Sequence, residues 1–252
     1  MREVDTLRAA TYKHYSIDTT MKRTTLPAIL VMIREMVHGN LPGRAIANVE
    51  EVRHFFHTHS HQYIYSEKKL ELMMPKEQIE TLSKTDVFIG ALGSGFANVV
   101  YMVPGSVAIS YSPPHVGGFF FDTLCELSRI HYIGVFNSSA PFPPECKNRI
   151  NANGESTVRA CLDILYADNI FMDVEQLESL LTSAKIHLNA FKFFLLCSQS
   201  HSAVLRSISR NDVRRLVDNT IIKLSEKWLR WERLHYLRRR LTSLRKDRLS
   251  SF

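Results

Sequence analysis

No run of roughly eighteen apolar residues occurs in this chain of 252 residues, so no membrane-spanning helix is expected. The apolar stretch Ala28 to Ile33 is far too short for that role. The opening Met1-Arg2-Glu3-Val4-Asp5 lacks the apolar core of a secretory signal. Cysteine is scarce, and Cys125, Cys146, Cys161 and Cys197 form no CxxC pair. They read as free thiols, with a Cys146–Cys161 disulfide open only in an oxidising compartment. In the same way, the sequon Asn137-Ser138-Ser139 has meaning only in a secretory compartment. Missing too is the composition of a largely disordered chain, since 45% of residues are hydrophobic and 23% charged. That is enough for one substantial core or two small ones.

Basic charge is absent from most of the molecule despite a formal net charge of +7. Lys223 to Arg248 holds ten Lys/Arg against three acidic residues, which is +7 by itself, so the remainder is near neutral. Any argument for nucleic acid therefore rests on one C-terminal segment. There Leu224, Trp228, Trp231, Leu234, Leu237, Leu241 and Leu244 recur every three or four residues, the spacing of an amphipathic helix. Its cations could meet RNA phosphates or an anionic membrane surface, with Trp228 and Trp231 as anchors. However, Arg238, Arg239 and Arg240 run around the helix, so they form no single recognition face. A helix packed by its Leu/Trp stripe, with solvated arginines, is the simpler reading. Nucleic acid is not expected as a partner, and weak membrane-surface contact through 223–248 stays open.

The rest of the chain alternates short apolar segments with helical ones. Residues 1–25 show no clear element. Ala28 to Ile33 reads as a buried strand, with Arg34 where it runs out. Glu50 to Phe56 predicts a helix with Val52, Phe55 and Phe56 inward, and Gln62 to Tyr65 a further strand. Pro75 to Ser83 predicts a helix, Val87 to Ile89 a strand, Phe96 to Tyr101 a helical turn or two, and Ser106 to Tyr111 another strand. Phe119 to Leu127 and Tyr132 to Phe136 continue the alternation. Asp173 and Gln176 suggest a capped helix running to about His187. The expected fold class is α/β: a Rossmann-like parallel sheet with helices on both faces over residues 26–200, and a basic helical extension over 201–252.

Between two of these strands lies Gly90-Ala91-Leu92-Gly93-Ser94-Gly95. A strand, a tight glycine turn and a helix start leave backbone N–H groups pointing one way, a geometry that attracts phosphate. Glycine at 93 and 95 permits close approach, Ser94 adds a hydroxyl, and Asn98 follows on the first turn. The loop matches neither GxGxxG nor GxxxxGK[ST], and a purely structural turn is the competing reading. Arg34 and Arg44 could clamp phosphate with their forked donors. Asp86 reads as a turn residue ahead of its strand rather than a catalytic base. His54, His57, His59 and His61 invite a zinc reading, but no cysteine or carboxylate stands at structural-zinc spacing, and no metal is expected. Ser94 as a hydrolase nucleophile, served by His115 or His131, fails the G-x-S-x-G pattern at Leu92.

Thr85-Asp86-Val87-Phe88-Ile89-Gly90-Ala91-Leu92-Gly93-Ser94-Gly95-Phe96-Ala97-Asn98, then Tyr101-Met102-Val103-Pro104-Gly105-Ser106, resembles the glycosyltransferase 61 family. That family includes the EGF-domain O-linked and protein O-mannose GlcNAc transferases and the plant xylan arabinosyl- and xylosyltransferases. Arg34 with Arg44-Ala45-Ile46-Ala47-Asn48 is similar to the family's paired arginines and Arg-x-Ile-x-Asn segment. Phe119 to Tyr132 and Ile170 to Leu181 resemble later family segments, so the likeness runs from about Ile29 to Thr182. The resemblance implies the C-terminal, donor-binding half of an inverting GT-B enzyme. Such an enzyme moves a sugar, GlcNAc or a pentose, from a UDP-sugar to a protein or glycan hydroxyl without metal or other cofactor. Arg34, Arg44, Gly93, Ser94 and Gly95 would hold the donor diphosphate, and Asn98, Leu92 and Ser110 would lie in the donor pocket. No catalytic base is assigned. Leu92 stands where the family carries histidine and Ser110 where the strand ends in glutamate, and the stretch before Ile29 is too short for a first GT-B domain. An inactive nucleotide-sugar-binding relative or a fragment is therefore the alternative. The expected location is the endoplasmic reticulum or Golgi lumen, if a longer form carries a signal or anchor.

Overall fold

The structure is a computed structural model, and it describes residues 2–18, 25–34, 45–112, 119–135 and 169–199. The chain divides into a compact unit over Met1–Phe193 and a second over Phe194–Phe252. The expected basic helix of 223–248, Arg44, His115, Cys146, Cys161 and Cys197 lie outside the described side chains.

Five short apolar runs become strands: β1 (Ala28–Met32), β2 (Ile64–Lys68), β3 (Val87–Ala91), β4 (Val107–Tyr111) and β5 (His131–Val135). They form one parallel sheet in the order β2-β1-β3-β4-β5. Every residue of β3 and β4 is buried, as expected for strands covered on both faces. The helices are α1 (Arg2–Tyr15), α2 (Val49–Thr58), α3 (Pro75–Ser83), α4 (Phe119–Ser128) and α5 (Val174–Gln199), with an eight-residue 3-10 helix at Ser94–Tyr101. The fold is thus the α/β, Rossmann-like arrangement that the alternating segments imply.

Strand alternation divides the core in two. On one face Ile29, Val31, Ile89 and Ile109 meet Val52, Phe55 and Phe56 of α2 and Leu177, Leu181 and Ala184 of α5. On the other, Leu30, Met32, Phe88 and Ala108 meet Leu82 of α3, Phe96 and Val99 of the 3-10 helix, and Cys125 of α4. Gly105 sits at φ +84°, and a side chain there would come within 2.0 Å of the Phe191 ring of α5, so this turn requires glycine.

Several boundaries differ from expectation, and three of the differences are instructive. Helix α5 continues past His187 to Gln199. Strand β2 starts two residues later than Gln62 and takes in polar Ser66, Glu67 and Lys68, because an edge strand tolerates charge. Most informative is α1, in a stretch without a readable apolar stripe. It docks by polar anchors: Arg8, 5% exposed, donates from Nε to the Val100 carbonyl (2.7 Å) and from Nη2 to the Ser128 carbonyl (3.0 Å). Those carbonyls lie near the C-terminal ends of the 3-10 helix and α4, where orphan acceptors favour a cation. Asp5 accepts from Arg8 (3.1 Å) and Arg129 (2.9 Å), and the Tyr12 hydroxyl donates to the Tyr101 carbonyl.

Replacing Arg8 by alanine is expected to lower stability by roughly 2–4 kcal/mol, because two inward carbonyls lose their donor. A thermal melt checks this, and Arg8→Lys should recover only part, since one ammonium lacks the fork. A second expectation concerns pH. His131 of β5 and His187 of α5 stack at 4.3 Å between ring centroids. Burial depresses both, and burial plus the neighbouring His131 brings His187 from 6.5 to about 4. Between those pH values the unfolded chain binds the extra proton, so stability is full above 6.5 and falls as pH drops towards 4. The loss from His187 amounts to roughly 3 kcal/mol. Urea midpoints across this window should show it, and His187→Phe should flatten the profile.

Candidate functional site

Strand β1 is hydrogen-bonded to β2 on one edge and to β3 on the other, all parallel. The chain leaves β1 through α2 on one face of the sheet and leaves β3 through the 3-10 helix on the opposite face. A strand order of 2-1-3-4-5 therefore opens a crevice above the C-terminal ends of β1 and β3, the switch point at which doubly wound sheets bind ligands.

Arg34 and the glycine loop both stand at this point. Arg34 is half-buried, two residues beyond the end of β1, after Ile33 donates its N–H to the Lys68 carbonyl (3.0 Å). The loop begins directly after β3: Leu92 N–H donates to the Tyr111 carbonyl (2.8 Å), and Gly93 carbonyl accepts from Phe96 N–H (2.8 Å), opening the 3-10 helix. Ser94 is exposed and Gly95 half-buried. Gly90 and Gly95 have a further role, since a Cβ at either would lie 2.9 Å and 3.0 Å from the Met32 side chain, respectively. The last residue of β1 thus packs under the loop that follows β3, which joins the ends of the two strands.

The other expected pocket residues are engaged within the protein. Leu92 is 2% exposed. Asn98 donates to the Gln78 side chain (3.1 Å), which itself donates to the carbonyls of Leu70 (2.8 Å) and Met73 (3.0 Å). This ties the 3-10 helix to α3. Ser110 is fully buried, and its hydroxyl shares a 2.6 Å hydrogen bond with Tyr132. Asp86 lies at the opposite, N-terminal edge: its Oδ2 accepts from Ala28 N–H (2.9 Å), and its backbone bonds both Ala28 and Val107. It is a sheet-edge clamp, as its place ahead of the strand suggests.

Two further readings can be compared with the geometry. His131 opens β5, in register with Val107 and through it with Val87. Ser94 lies past Ala91, at the other end of β3, so strand rise alone separates the two residues by roughly 13 Å. They form no catalytic pair. Among the described residues, no group of three His, Cys, Asp or Glu could hold a metal ion. His59 stacks on Phe55 (4.4 Å) and bonds its carbonyl through Nδ1 (2.8 Å), while His54 and His57 are exposed on α2 beside a groove lined by Glu50, Arg53, Tyr63 and Tyr65. Among the described residues no helix is long and apolar enough to cross a membrane.

One element of the site was not assigned from sequence. Residues 45–48 and 170–172 zip together above the same sheet edge. Ala47 N–H donates to Ile170 (2.8 Å), Ile170 N–H to Ala45 (2.8 Å), and the Asn48 side chain both donates to and accepts from the Met172 backbone (2.8 and 3.0 Å). This sets the N-termini of α2 and α5 side by side. Asp173 caps α5 through the Gln176 N–H (3.0 Å).

Fold and crevice together define a Rossmann-like α/β domain with an arginine and a glycine loop at its switch point. Residues 2–109 match the glycosyltransferase 61 family model, so this part of the chain is similar to a family of glycosyltransferases, which act in general on a nucleotide-sugar donor and an acceptor. The match begins at residue 2 and so includes α1, ahead of the point where the resemblance is first readable. No curated protein matches the chain.

Asn48→Ala should remove both side-chain bonds to Met172 at a cost of about 1–2 kcal/mol. Faster hydrogen exchange at the Met172 and Ala47 amides, with those of β3 unchanged, would show that the zipper loosens locally.

Proposed function

We propose that this chain binds the donor of an inverting, metal-independent glycosyltransferase that moves GlcNAc or a pentose from a UDP-sugar to a protein or glycan hydroxyl. The endoplasmic reticulum or Golgi lumen is the compartment this reading implies. The observation that supports it is that Arg34 and the Gly93–Gly95 loop follow the C-terminal ends of neighbouring parallel strands at the β1/β3 switch point. The first N–H groups of a helix have no partner within it and favour negative charge. A diphosphate seated there would lie against the loop, with Arg34 on its flank. As the bond from sugar to UDP breaks, charge grows on the leaving phosphate, and these donors would stabilise it. The acceptor's proton needs a base. Asp86 does not serve, because its carboxylate is committed at the opposite edge of the sheet.

A second reading, nucleotide-sugar binding without transfer, is favoured by Leu92 and Ser110. Both stand where the family pattern carries polar groups, and both are buried in the packing. Binding and turnover separate the two readings. Calorimetric titration of the full chain with UDP, UDP-GlcNAc, UDP-xylose, GDP and ADP should give saturable, uridine-selective binding. Arg34→Ala should weaken it at least about tenfold, equivalent to about 1.4 kcal/mol, with an unchanged melting temperature. Product formation with an acceptor library then supports transfer, and binding without it supports the second reading. A folded chain that binds none of the five nucleotides overturns both.

A further inference from the structure

Tyr111 is the last residue of β4, 2% exposed, and its buried hydroxyl has no hydrogen-bond partner among the described residues. Leaving such a group unpaired is destabilising, a cost that a phenylalanine would avoid. Its surroundings give the hydroxyl a use. Tyr111 pairs in register with Ala91, the residue that leads towards the glycine loop. Neighbouring strands lie about 4.8 Å apart, so a nucleotide with its phosphates on the loop brings its next group over Tyr111. On that face of the sheet stands the N-terminus of the 26-residue helix α5, with Asp173 as its cap.

We propose that Tyr111 and Asp173 together take the ribose 2′-hydroxyl of the nucleotide, Tyr111 donating to its oxygen and the Asp173 carboxylate accepting its proton. The proposal rests on the donor-binding reading above and deepens it. Charge selects a neutral polyol over a second phosphate: Glu50 and Glu51 occupy the first turn of α2, and Glu175 and Asp173 the start of α5. Helix α2 is held beside α5 by the Asn48–Met172 bonds, so these carboxylates share one edge of the crevice. Burial, with the Asp173 charge, pushes the Tyr111 phenol up to about 12, so it keeps its proton at working pH and can donate. The anion-holding half of the crevice is then the loop side, and the hydroxyl-reading half the α5 side.

The test uses the full chain with UDP and 2′-deoxy-UDP, in wild type, Tyr111→Phe and Asp173→Asn, with a thermal melt of each. Wild type is expected to bind UDP about tenfold more tightly than the deoxy ligand, the worth of one well-made hydrogen-bonded contact. In Tyr111→Phe the preference should shrink below about twofold, while the melting temperature holds or rises because no hydroxyl is left unpaired. Asp173→Asn should shrink it as well, and being exposed it serves even if the core variant fails to fold. Undiminished discrimination in either folded variant overturns the proposal and leaves the donor-binding reading standing. A wild type that binds UDP and its deoxy form equally also overturns it alone, whereas a wild type that binds neither removes the reading on which it rests.

Discussion

Parallel pairing of β1 on both of its edges is the constraint from which the site follows. A parallel neighbour needs a crossover, and crossovers turn right-handed, so moving outwards in opposite directions from β1 and β3 sends the covering helices to opposite faces. The chain ends above β1 and β3 must then part. What stands in the gap is set by chain position alone: Arg34 two residues past β1, and Gly93 two residues past β3. The glycines contribute more than backbone access. Met32 fills the space that side chains at 90 and 95 would occupy, so one buried contact joins the two strand ends that flank the crevice.

Around that centre, polar contacts hold what apolar packing leaves loose. Leu7 of α1 is 53% exposed, yet the helix is held because Arg8 satisfies carbonyls near the ends of two other helices. On the other face, Asn48 presents its amide to Met172 much as a strand neighbour would, extending the short pairing of Ile46 with Ile170. Both are one-residue devices acting between segments more than ninety positions apart. Their effect is to hold the helix starts and the 3-10 helix in place around the sheet.

The parts of the fold legible in the sequence were those set by local periodicity. Val52, Phe55 and Phe56 point inward from α2, and Pro75 starts α3 as its position suggests. Val87-Phe88-Ile89 could be read as a buried strand, but Gly90 and Ala91 continue it, because Met32 supplies the packing that glycine omits. Strand β2 was harder, its Glu67 being held by Arg53 (2.6 and 2.9 Å) and Tyr65 (2.8 Å) rather than by any apolar alternation. The roles of Arg8, Asn48 and Tyr111 were not legible at all. Each is defined by a partner, or the lack of one, that only the folded chain brings near. The crevice itself was half legible: glycine and arginine signal anion chemistry locally, whereas their meeting depends on strand order.

Leu92 and Ser110 bear on how recognition is distributed across this crevice. Where the family pattern carries histidine and glutamate, this chain has a buried leucine and a serine tied to Tyr132. Losing a charged or polar side chain from a ligand site leaves its task either undone or moved to another group. On the proposed donor-binding reading, main-chain donors and Arg34 would still serve the anion, since neither depends on position 92 or 110. For the uncharged part of a nucleotide, the unpaired hydroxyl of Tyr111 lies one residue beyond Ser110 on the same strand, and alternation turns it to the opposite face. The step from 110 to 111 thus carries polar function from the α4 side of the sheet to the α5 side, where Asp173 already stands. On the proposed reading, a site rebuilt in this way would keep its phosphate end and change what it reads beyond the phosphates.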